Sequence, residues 1–239
     1  MKTNIVLPIA GNGQRFVDEG FKTIKPLIEV EGEYLVEKSL GSVNYKDANL
    51  IFIVRNEHVR DFDLSTKLRS RFGNMIEIIE VEKITEGALC TCLMAEKYID
   101  NEAPLVIFTP DCYFEPRFYV DHVDPKYDGV VTVFQSQSPA HSYVQLDENN
   151  YVTKAAEKEV ISNHAVGGLY YFKHGSTFVK YAKKQIELNM KTKGEYYICP
   201  VYNLLIEDEL KIGIDKNSRH VILGTPQDLR DYLYARLPA

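Results

Sequence analysis

The chain has 239 residues, of which 45% are hydrophobic and 26% charged, and its formal net charge is −6. These values are ordinary for a globular protein, and the negative balance excludes a long-range field that recruits nucleic acid or an anionic membrane. No segment approaches the roughly 20 apolar residues of a membrane span, and the first residues lack a signal-peptide pattern. The four cysteines match no zinc or redox motif, so we expect reduced thiols in a cytoplasmic protein without membrane insertion.

The first half of the chain alternates apolar runs of strand length with helical patterns. The predicted elements in chain order are a strand at 4–9, a helix at 34–43, a strand at 50–54, a helix at 58–72, a strand at 75–81, a helix at 86–99 and a strand at 105–109. Thr85 is the predicted N-cap of the third helix. This alternation predicts an α/β domain with a largely parallel sheet and right-handed crossovers.

The second half of the chain is richer in strands. The predicted elements are strands at 129–134, 143–146, 151–155 and 166–172, a helix at 178–188, strands at 211–214 and 220–223, and a helix at 226–234. The turn signal at 147–150 predicts a hairpin between the second and third of these strands. Thr225 is the predicted N-cap of the closing helix. We expect residues 113 to 172 to form a substrate-facing lobe on the same sheet.

A glycine-rich loop follows the first predicted strand. Gly11 and Gly13 let the backbone approach phosphate oxygens, although the same glycines also suit a tight turn. Phe16 stands where a dinucleotide fingerprint needs a third glycine, and no Walker A sequence is present. Arg15 and Lys25 next to this loop are typical of a polyphosphate clamp, whereas either cation alone reads as a solvated surface charge.

A carboxylate follows the strand predicted at 105–109. Asp111 stands at its carboxyl end, where open α/β sheets bind their ligands. The alternative interpretation is a surface aspartate that begins a turn after Pro110. Together with the glycine-rich loop, Asp111 is a candidate ligand for a cation.

These motifs resemble the signature of a known family. Residues Ala10 to Phe16 read A-G-x-G-x-R-F, and Lys25 to Gly32 read K-P-L-I-x-V-x-G. This pattern is similar to that of the sugar-1-phosphate nucleotidyltransferases, of the short bacterial surface-polysaccharide type, and the resemblance extends over nearly the whole chain. It implies a Rossmann-like mixed, mainly parallel sheet flanked by helices. It also implies one domain, 1–239, with a nucleotide-binding half at 1–112 and an acceptor-binding half at 113–239.

The resemblance implies a nucleotide site. In that family the arginine and lysine equivalent to Arg15 and Lys25 contact the triphosphate, and a glycine in the position of Gly87 leaves room for the nucleobase. Residues 85–88 also read as an ordinary helix start, and they do not determine which base is bound. The implied nucleotide-binding residues are Leu7, Ala10, Gly11, Asn12, Gly13, Arg15, Lys25, Glu86, Gly87 and Ala88.

The resemblance also implies a metal and an acceptor site. Asp111 matches the aspartate that ligates Mg²⁺ in that family, which makes Arg15, Lys25 and Asp111 the implied catalytic residues. Glu157 and Lys158 match a pair whose lysine contacts the acceptor phosphate, although an exposed charged pair is the alternative. The implied acceptor-binding residues are Tyr143, Glu157, Lys158, Gly168 and Glu195. The aromatic set formed by His141, Tyr143, Tyr170 and Tyr171 suits either a sugar or a choline acceptor.

One position departs from the family pattern. Gly224 to Leu229 match its G-T-P-x-D-L element, but Ile222 stands where many members have a second metal-binding aspartate. Three interpretations follow: Asp111 and phosphates hold Mg²⁺ alone, another carboxylate such as Asp215 substitutes, or activity is weakened.

The resemblance implies transfer of a nucleoside monophosphate from a nucleoside triphosphate to a sugar 1-phosphate, with release of pyrophosphate, for capsule or other surface-polysaccharide precursors. A cytidylyltransferase acting on a phosphocholine-like or polyol phosphate is one alternative. A glycosyltransferase that uses a nucleotide sugar is another, weakened because residues 111–113 do not form D-x-D. A non-catalytic nucleotide-binding subunit is the third. The expected partners are a nucleoside triphosphate and a phosphorylated small molecule, with the oligomeric state left open.

Overall fold

A nine-stranded mixed sheet forms the centre of the computed structural model, which describes residues 1–235. The strands in chain order are β1 (Asn4–Pro8), β2 (Glu29–Val30), β3 (Glu33–Tyr34), β4 (Asn49–Arg55), β5 (Glu77–Val81), β6 (Leu105–Phe108), β7 (Cys112–Glu115), β8 (Gly129–Gln135), β9 (Ser142–Leu146), β10 (Val152–Glu157), β11 (His164–Phe172), β12 (Ile212–Lys216) and β13 (Arg219–Ile222). The helices are α1 (Gln14–Asp18), α2 (Leu35–Leu40), α3 (Asn56–Phe62), α4 (Leu64–Phe72), α5 (Ala88–Leu93), α6 (Glu96–Ile99), α7 (Gly175–Glu187), α8 (Val201–Glu207) and α9 (Pro226–Tyr234).

The sheet confirms the predicted fold class. Strands β5, β4, β1 and β6 are parallel neighbours in that order. Strand β11 then lies antiparallel to β6 and joins β8, β9 and β10 to the same sheet, with β12 parallel to β8. The second half of the chain therefore extends the sheet of the first half.

Helices cover both faces of the parallel strands. The side chains of β1 alternate between faces: Val6 packs into the core formed with α5, α7 and α8, whereas Ile5 and Leu7 pack into the core formed with α2 and α4. All three are fully buried. A strand buried on both sides needs a continuous apolar run, which is the pattern that predicted it.

Two of the predicted helices are interrupted. Residues 58–72 form α3 and α4, because Asp63 adopts a φ of 53° between them. Residues 86–99 form α5 and α6, and the first of these begins at Ala88 with Gly87 as its N-cap. The prediction of Thr85 as N-cap is wrong: its hydroxyl donates a hydrogen bond to the Gly87 carbonyl at 2.9 Å.

Other local predictions are confirmed. Strand β10 folds back antiparallel on β9 after the turn at 147–150. The Thr225 hydroxyl accepts a hydrogen bond from the Asp228 backbone at the start of α9. The sequence pattern does not predict α1, β7 or α8, because elements this short carry little periodicity.

The C-terminal part of the described chain closes over the glycine-rich loop. Strand β13 pairs antiparallel with β7, which places Ile222 opposite Cys112. Leu223, Leu229 and Tyr232 form a third apolar cluster with Phe16 of α1. None of the helices within residues 1–235 is long and apolar enough to cross a membrane.

Candidate active site

A cavity of about 390 Å³ lies at the carboxyl ends of β1 and β6. These strands are parallel neighbours, so the loop after β1 and the residues after β6 meet at one edge of the sheet. Gly11, Gly13, Arg15, Lys25 and Asp111 all line this cavity. The structure therefore brings together the loop, both predicted cations and the predicted carboxylate.

The cations approach the carboxylate from the loop side. The Lys25 ammonium lies 3.7 Å from an Asp111 carboxylate oxygen, and the Asp111 side chain is 50% exposed. Gly13 has a φ of 59°, and a side chain there would lie 3.3 Å from the Lys25 Cβ. A glycine at this position thus lets Lys25 approach the loop. Arg15 is exposed on α1, with its side chain free to meet an anion in the cavity.

Three other residues predicted for the nucleotide site, Leu7 on β1 and Ala10 and Asn12 in the loop, do not offer free side chains to the cavity. The side chains of Leu7 and Ala10 are buried, so only their main chain can meet a ligand. The Asn12 side chain accepts a hydrogen bond from Arg55, which also forms a 2.7 Å ion pair with Glu57. Arg55 thereby anchors the glycine-rich loop to β4, a role that the sequence pattern does not indicate.

A second cavity, of about 250 Å³, adjoins the first and shares Thr109 and Asp111 with it. Glu157, Lys158 and Gly168 line this second cavity, as predicted for an acceptor site. The Lys158 ammonium lies 3.4 Å from a Glu157 carboxylate oxygen, and the Glu157 side chain is only 3% exposed. One buried carboxylate and one lysine thus face the same space beside Asp111.

A metal at Asp111 fits the residues present. No group of three histidine, cysteine, aspartate or glutamate side chains converges within residues 1–235. Ile222 supplies no donor, and a side chain at Gly224 would lie 3.8 Å from both Asp111 and Asp228 carboxylate oxygens. Mg²⁺ often binds through one or two carboxylates and completes its shell with phosphates and water. Asp111 at the edge of a phosphate-sized cavity suits that mode.

Comparison with known proteins identifies the family. A family model described as nucleotidyl transferase matches residues 4–229. The chain belongs to the nucleotidyl transferase family. Comparison with curated protein sequences gives no match.

Solved structures share this fold along their whole length. A nucleoside-diphosphate-sugar pyrophosphorylase from Vibrio cholerae RC9 is 27% identical, with a TM-score of 0.85 over 96% of this chain and 99% of that chain. An inositol-1-phosphate CTP transferase from T. maritima is 17% identical, with a TM-score of 0.75 over 98% and 94%. A protein described as a glucose-1-phosphate thymidylyltransferase from Bacillus anthracis, in complex with a sucrose, is 19% identical, with a TM-score of 0.76 over 100% and 97%.

The predicted base-binding segment of this nucleotidyltransferase has a different local role. A side chain at Gly87 would lie 2.3 Å from the Tyr196 carbonyl oxygen, so this glycine permits close approach of the Tyr196 backbone. The Glu86 carboxylate is exposed and pairs with Lys191. Ala88 lines the second cavity and not the first. Gly87 thus has a packing reason in this structure, and the contact of residues 86–88 with a nucleobase stays a prediction.

Three other predicted residues line neither cavity, although the Glu195 side chain contacts Tyr197, which lines the second. Tyr143 is fully buried, and its hydroxyl donates to the Ser138 carbonyl at 2.7 Å. Glu195 is exposed in the turn that follows Lys193. Asp215 lines a separate cavity beside Tyr127, so it does not replace the missing metal ligand. Ser142, Tyr143 and Val144 are all buried, so Tyr143 lies in the core because other elements cover both faces of this part of β9.

Two histidines line the second cavity. Burial lowers the pKa of both His141 and His220, that of His220 to about 4. His141 belongs to the predicted aromatic set, together with Tyr170, which also lines this cavity. His220 lies on a short strand far along the chain, and no local sequence signal connects it with the site.

Proposed function

We propose that this nucleotidyltransferase transfers a nucleoside monophosphate from a nucleoside triphosphate to a sugar 1-phosphate and releases pyrophosphate. The observation that carries the proposal is the pair of adjoining cavities that share Asp111. One has Arg15 and Lys25 beside a glycine-rich loop, and the other has Lys158. Two anionic substrates can thus lie side by side, each next to its own cation. The 27% identity to a nucleoside-diphosphate-sugar pyrophosphorylase supports the same proposal.

The proposed reaction is a direct displacement. An oxygen of the acceptor phosphate forms a bond to the α-phosphorus, and the bond from that phosphorus to the bridging oxygen of the β-phosphate breaks. Pyrophosphate carries away the electron pair. Positioning and charge neutralisation supply most of the catalysis in such reactions. Burial raises the pKa of the Cys112 thiol well above its ordinary value, so the cysteine next to Asp111 stays protonated and is no nucleophile.

Each cation has a proposed task. Arg15 binds the phosphates that leave as pyrophosphate, and Lys25 neutralises charge at the phosphorus under attack. Lys158 holds the incoming phosphate, and its bond to the Ala140 carbonyl fixes the ammonium at the rim of the second cavity. Mg²⁺, held by Asp111 and triphosphate oxygens, would supply further charge neutralisation. The use of the product for surface polysaccharides belongs to the same proposal and rests on the sequence resemblance alone.

Pyrophosphate release tests the proposal. The purified protein is incubated with Mg²⁺, each of the four nucleoside triphosphates, and glucose 1-phosphate, inositol 1-phosphate or phosphocholine. We expect release with at least one pair that includes a sugar or polyol phosphate. No release with any pair would refute the proposal. In a parallel assay with a UDP- or GDP-sugar in place of the triphosphate, release of the nucleoside diphosphate would favour a glycosyltransferase.

Two lysine variants, one at the second cavity and one outside both cavities, test the role of Lys158. Lys158→Met should raise KM for the acceptor by about 10- to 100-fold, because a charge-assisted hydrogen bond is lost. KM for the nucleotide should stay unchanged. Lys154→Met removes an exposed lysine on β10, outside both cavities, and should leave both constants unchanged. Equal effects of the two variants would contradict the role of Lys158.

A further inference from the structure

The imidazole of His220 is held firmly at the wall of the second cavity. Its ring stacks on Phe134, with centroids 3.9 Å apart and an interplanar angle of 9°. The ring of Phe114 lies nearly parallel to it, at 6.1 Å and 10°. A side chain at Gly167 would lie 3.1 Å from the His220 Cε1 atom, so this glycine leaves room for the ring edge. These contacts determine the orientation of the imidazole.

The neighbouring asparagine favours one tautomer of His220. The Asn217 amide is oriented with its nitrogen 3.2 Å from His220 Nδ1 and with its buried oxygen lacking a hydrogen-bond partner within residues 1–235. In this amide orientation Nδ1 accepts, and a neutral imidazole carries its proton on Nε2. Desolvation lowers the pKa of His220 to about 4, which keeps the ring neutral in this arrangement.

The edge of the ring that carries Nε2 borders the second cavity. The Cε1 atom, bonded to Nε2, lies beside Gly167, which lines that cavity, and no hydrogen bond of Nε2 is found within residues 1–235. His220 lines the second cavity together with Glu157 and Lys158. The cavity is thus lined by a neutral donor from His220, a cation from Lys158 and the Glu157 carboxylate, which also accepts a hydrogen bond from the Ser142 hydroxyl.

This set of groups suits a hydroxylated molecule better than a quaternary ammonium. Choline recognition needs open aromatic faces. Here the imidazole of His220 stacks on Phe134, and the Lys158 ammonium lies 5.7 Å from the centre of the Tyr197 ring. A hydroxyl group, in contrast, can accept from a neutral N–H and donate to a carboxylate at the same time.

We propose that His220 is a specificity-determining residue, whose Nε2–H donates a hydrogen bond to a hydroxyl oxygen of the acceptor. The acceptor is then a sugar or polyol phosphate, and not phosphocholine. This inference rests on the proposed function for the identity of the second cavity as the acceptor site. It adds a residue that the sequence motifs do not include.

His220→Phe tests the donor, because phenylalanine keeps a flat stacked ring and removes the N–H. The probe is the better of glucose 1-phosphate and inositol 1-phosphate in the pyrophosphate assay. We expect KM for that acceptor to rise about 10-fold, the effect of one lost hydrogen bond. The melting temperature, KM for the nucleotide and kcat should change little, and His220→Gln, which restores an N–H donor, should recover part of the loss.

His164→Phe is the control, since His164 is a partly buried histidine on β11 that lines neither cavity. An unchanged acceptor KM in His220→Phe would overturn the inference, as would phosphocholine being the best acceptor. Nitrogen-15 NMR of the wild-type imidazole would also overturn it by showing the proton on Nδ1.

A binding measurement separates this inference from the proposed function. If no pair releases pyrophosphate, the proposed function fails, and calorimetric titration with glucose 1-phosphate or inositol 1-phosphate still tests His220. Binding that His220→Phe weakens and His164→Phe does not would support the inference. No binding of either sugar or polyol phosphate to the wild-type protein would refute it.

Discussion

Asp111 connects the two cavities at the scale of single residues. Its carboxylate is half-exposed and lies 3.7 Å from the Lys25 ammonium. A half-exposed carboxylate adds little to folding, because solvent screens its ion pair. A role of Asp111 in the proposed binding of Mg²⁺ explains its position better than a role in folding.

Asp111→Asn should therefore affect activity without affecting stability. We expect kcat for pyrophosphate release to fall on the order of 100-fold or more, as when one preorganised electrostatic group is removed. The melting temperature should stay within about 1 °C of wild type. The control is Asp18→Asn, which makes the same change of carboxylate to amide at an exposed residue of α1 that does not line the cavity. Full activity of Asp111→Asn would remove the metal assignment.

Asp215, unlike Asp111, has a carboxylate whose burial destabilises the native state. Desolvation raises its pKa above the ordinary value. An acid whose folded pKa is raised destabilises the native state once pH exceeds the unfolded value of about 3.9. Stability is therefore lost as pH rises through the window between the unfolded and folded pKa values.

Asp215→Asn should remove this cost. Because the carboxylate is still partly solvated, we expect a modest rise of roughly 1–2 °C in the melting temperature at pH 7. The difference from wild type should vanish below about pH 3.9, where the aspartate is protonated in both states. Scanning calorimetry of both proteins between about pH 3.9 and pH 7 measures this difference in melting temperature. A difference that stays constant with pH would contradict the raised pKa of Asp215.

At the scale of elements, the start of α5 depends on its contact with the segment around Tyr196. The Tyr196 amide donates to the Glu86 carbonyl at 2.8 Å, and the Leu89 amide donates to the Tyr196 carbonyl at 3.1 Å. Both bonds span Gly87, which has a φ of 131°. The two halves of the chain, 1–112 and 113–235, are thus joined by backbone contacts at this point.

Gly87→Ala should disrupt this junction. Its Cβ would meet the Tyr196 carbonyl oxygen at 2.3 Å in a backbone conformation that alanine adopts at a cost. We expect a loss of at least about 2 kcal/mol in the free energy of unfolding, measured by urea denaturation. Gly73→Ala is the matched control: its φ is 86° and nothing lies within 4 Å of the added carbon. It should cost about 1 kcal/mol, so equal losses would contradict the steric explanation.

At the scale of the whole molecule, one sheet carries both halves of the site. Strand β11 pairs with β8 along one edge and with β6 and then β9 along the other. The two cavities therefore share a rigid support made of buried apolar strands. Side chains on loops that this sheet anchors, such as Asp111 after β6, should keep their relative positions without a metal ion.

Chelation should consequently abolish turnover and spare the fold. With excess EDTA we expect pyrophosphate release to fall to background, since no other group neutralises the triphosphate charge as Mg²⁺ does. The melting temperature should shift by no more than about 1 °C, because the sheet and its two apolar cores hold the structure. A cooperative loss of circular dichroism on chelation would show instead that a metal supports the fold.

The amino-acid sequence by itself determined the alternation of strands and helices and the composition of the phosphate loop. Apolar runs of strand length predicted β1, β4 and β6, because burial on both faces demands continuous hydrophobicity. Gly13, Arg15 and Lys25 lie close together in the chain, and local spacing was enough to indicate an anion site. Asp111 could be predicted because a strand end has a known position in parallel sheets.

Only the tertiary structure decided which distant residues lie near the glycine-rich loop and line the adjoining second cavity. Pairing of β13 with β7 places His220 and Ile222 at the second cavity, and such long-range pairings leave no local pattern in the chain. The same limit explains Tyr143, which is buried because both faces of its part of β9 are covered, and Asp215, which lines another cavity. Local periodicity specifies elements, whereas the packing of elements determines which side chains share a site.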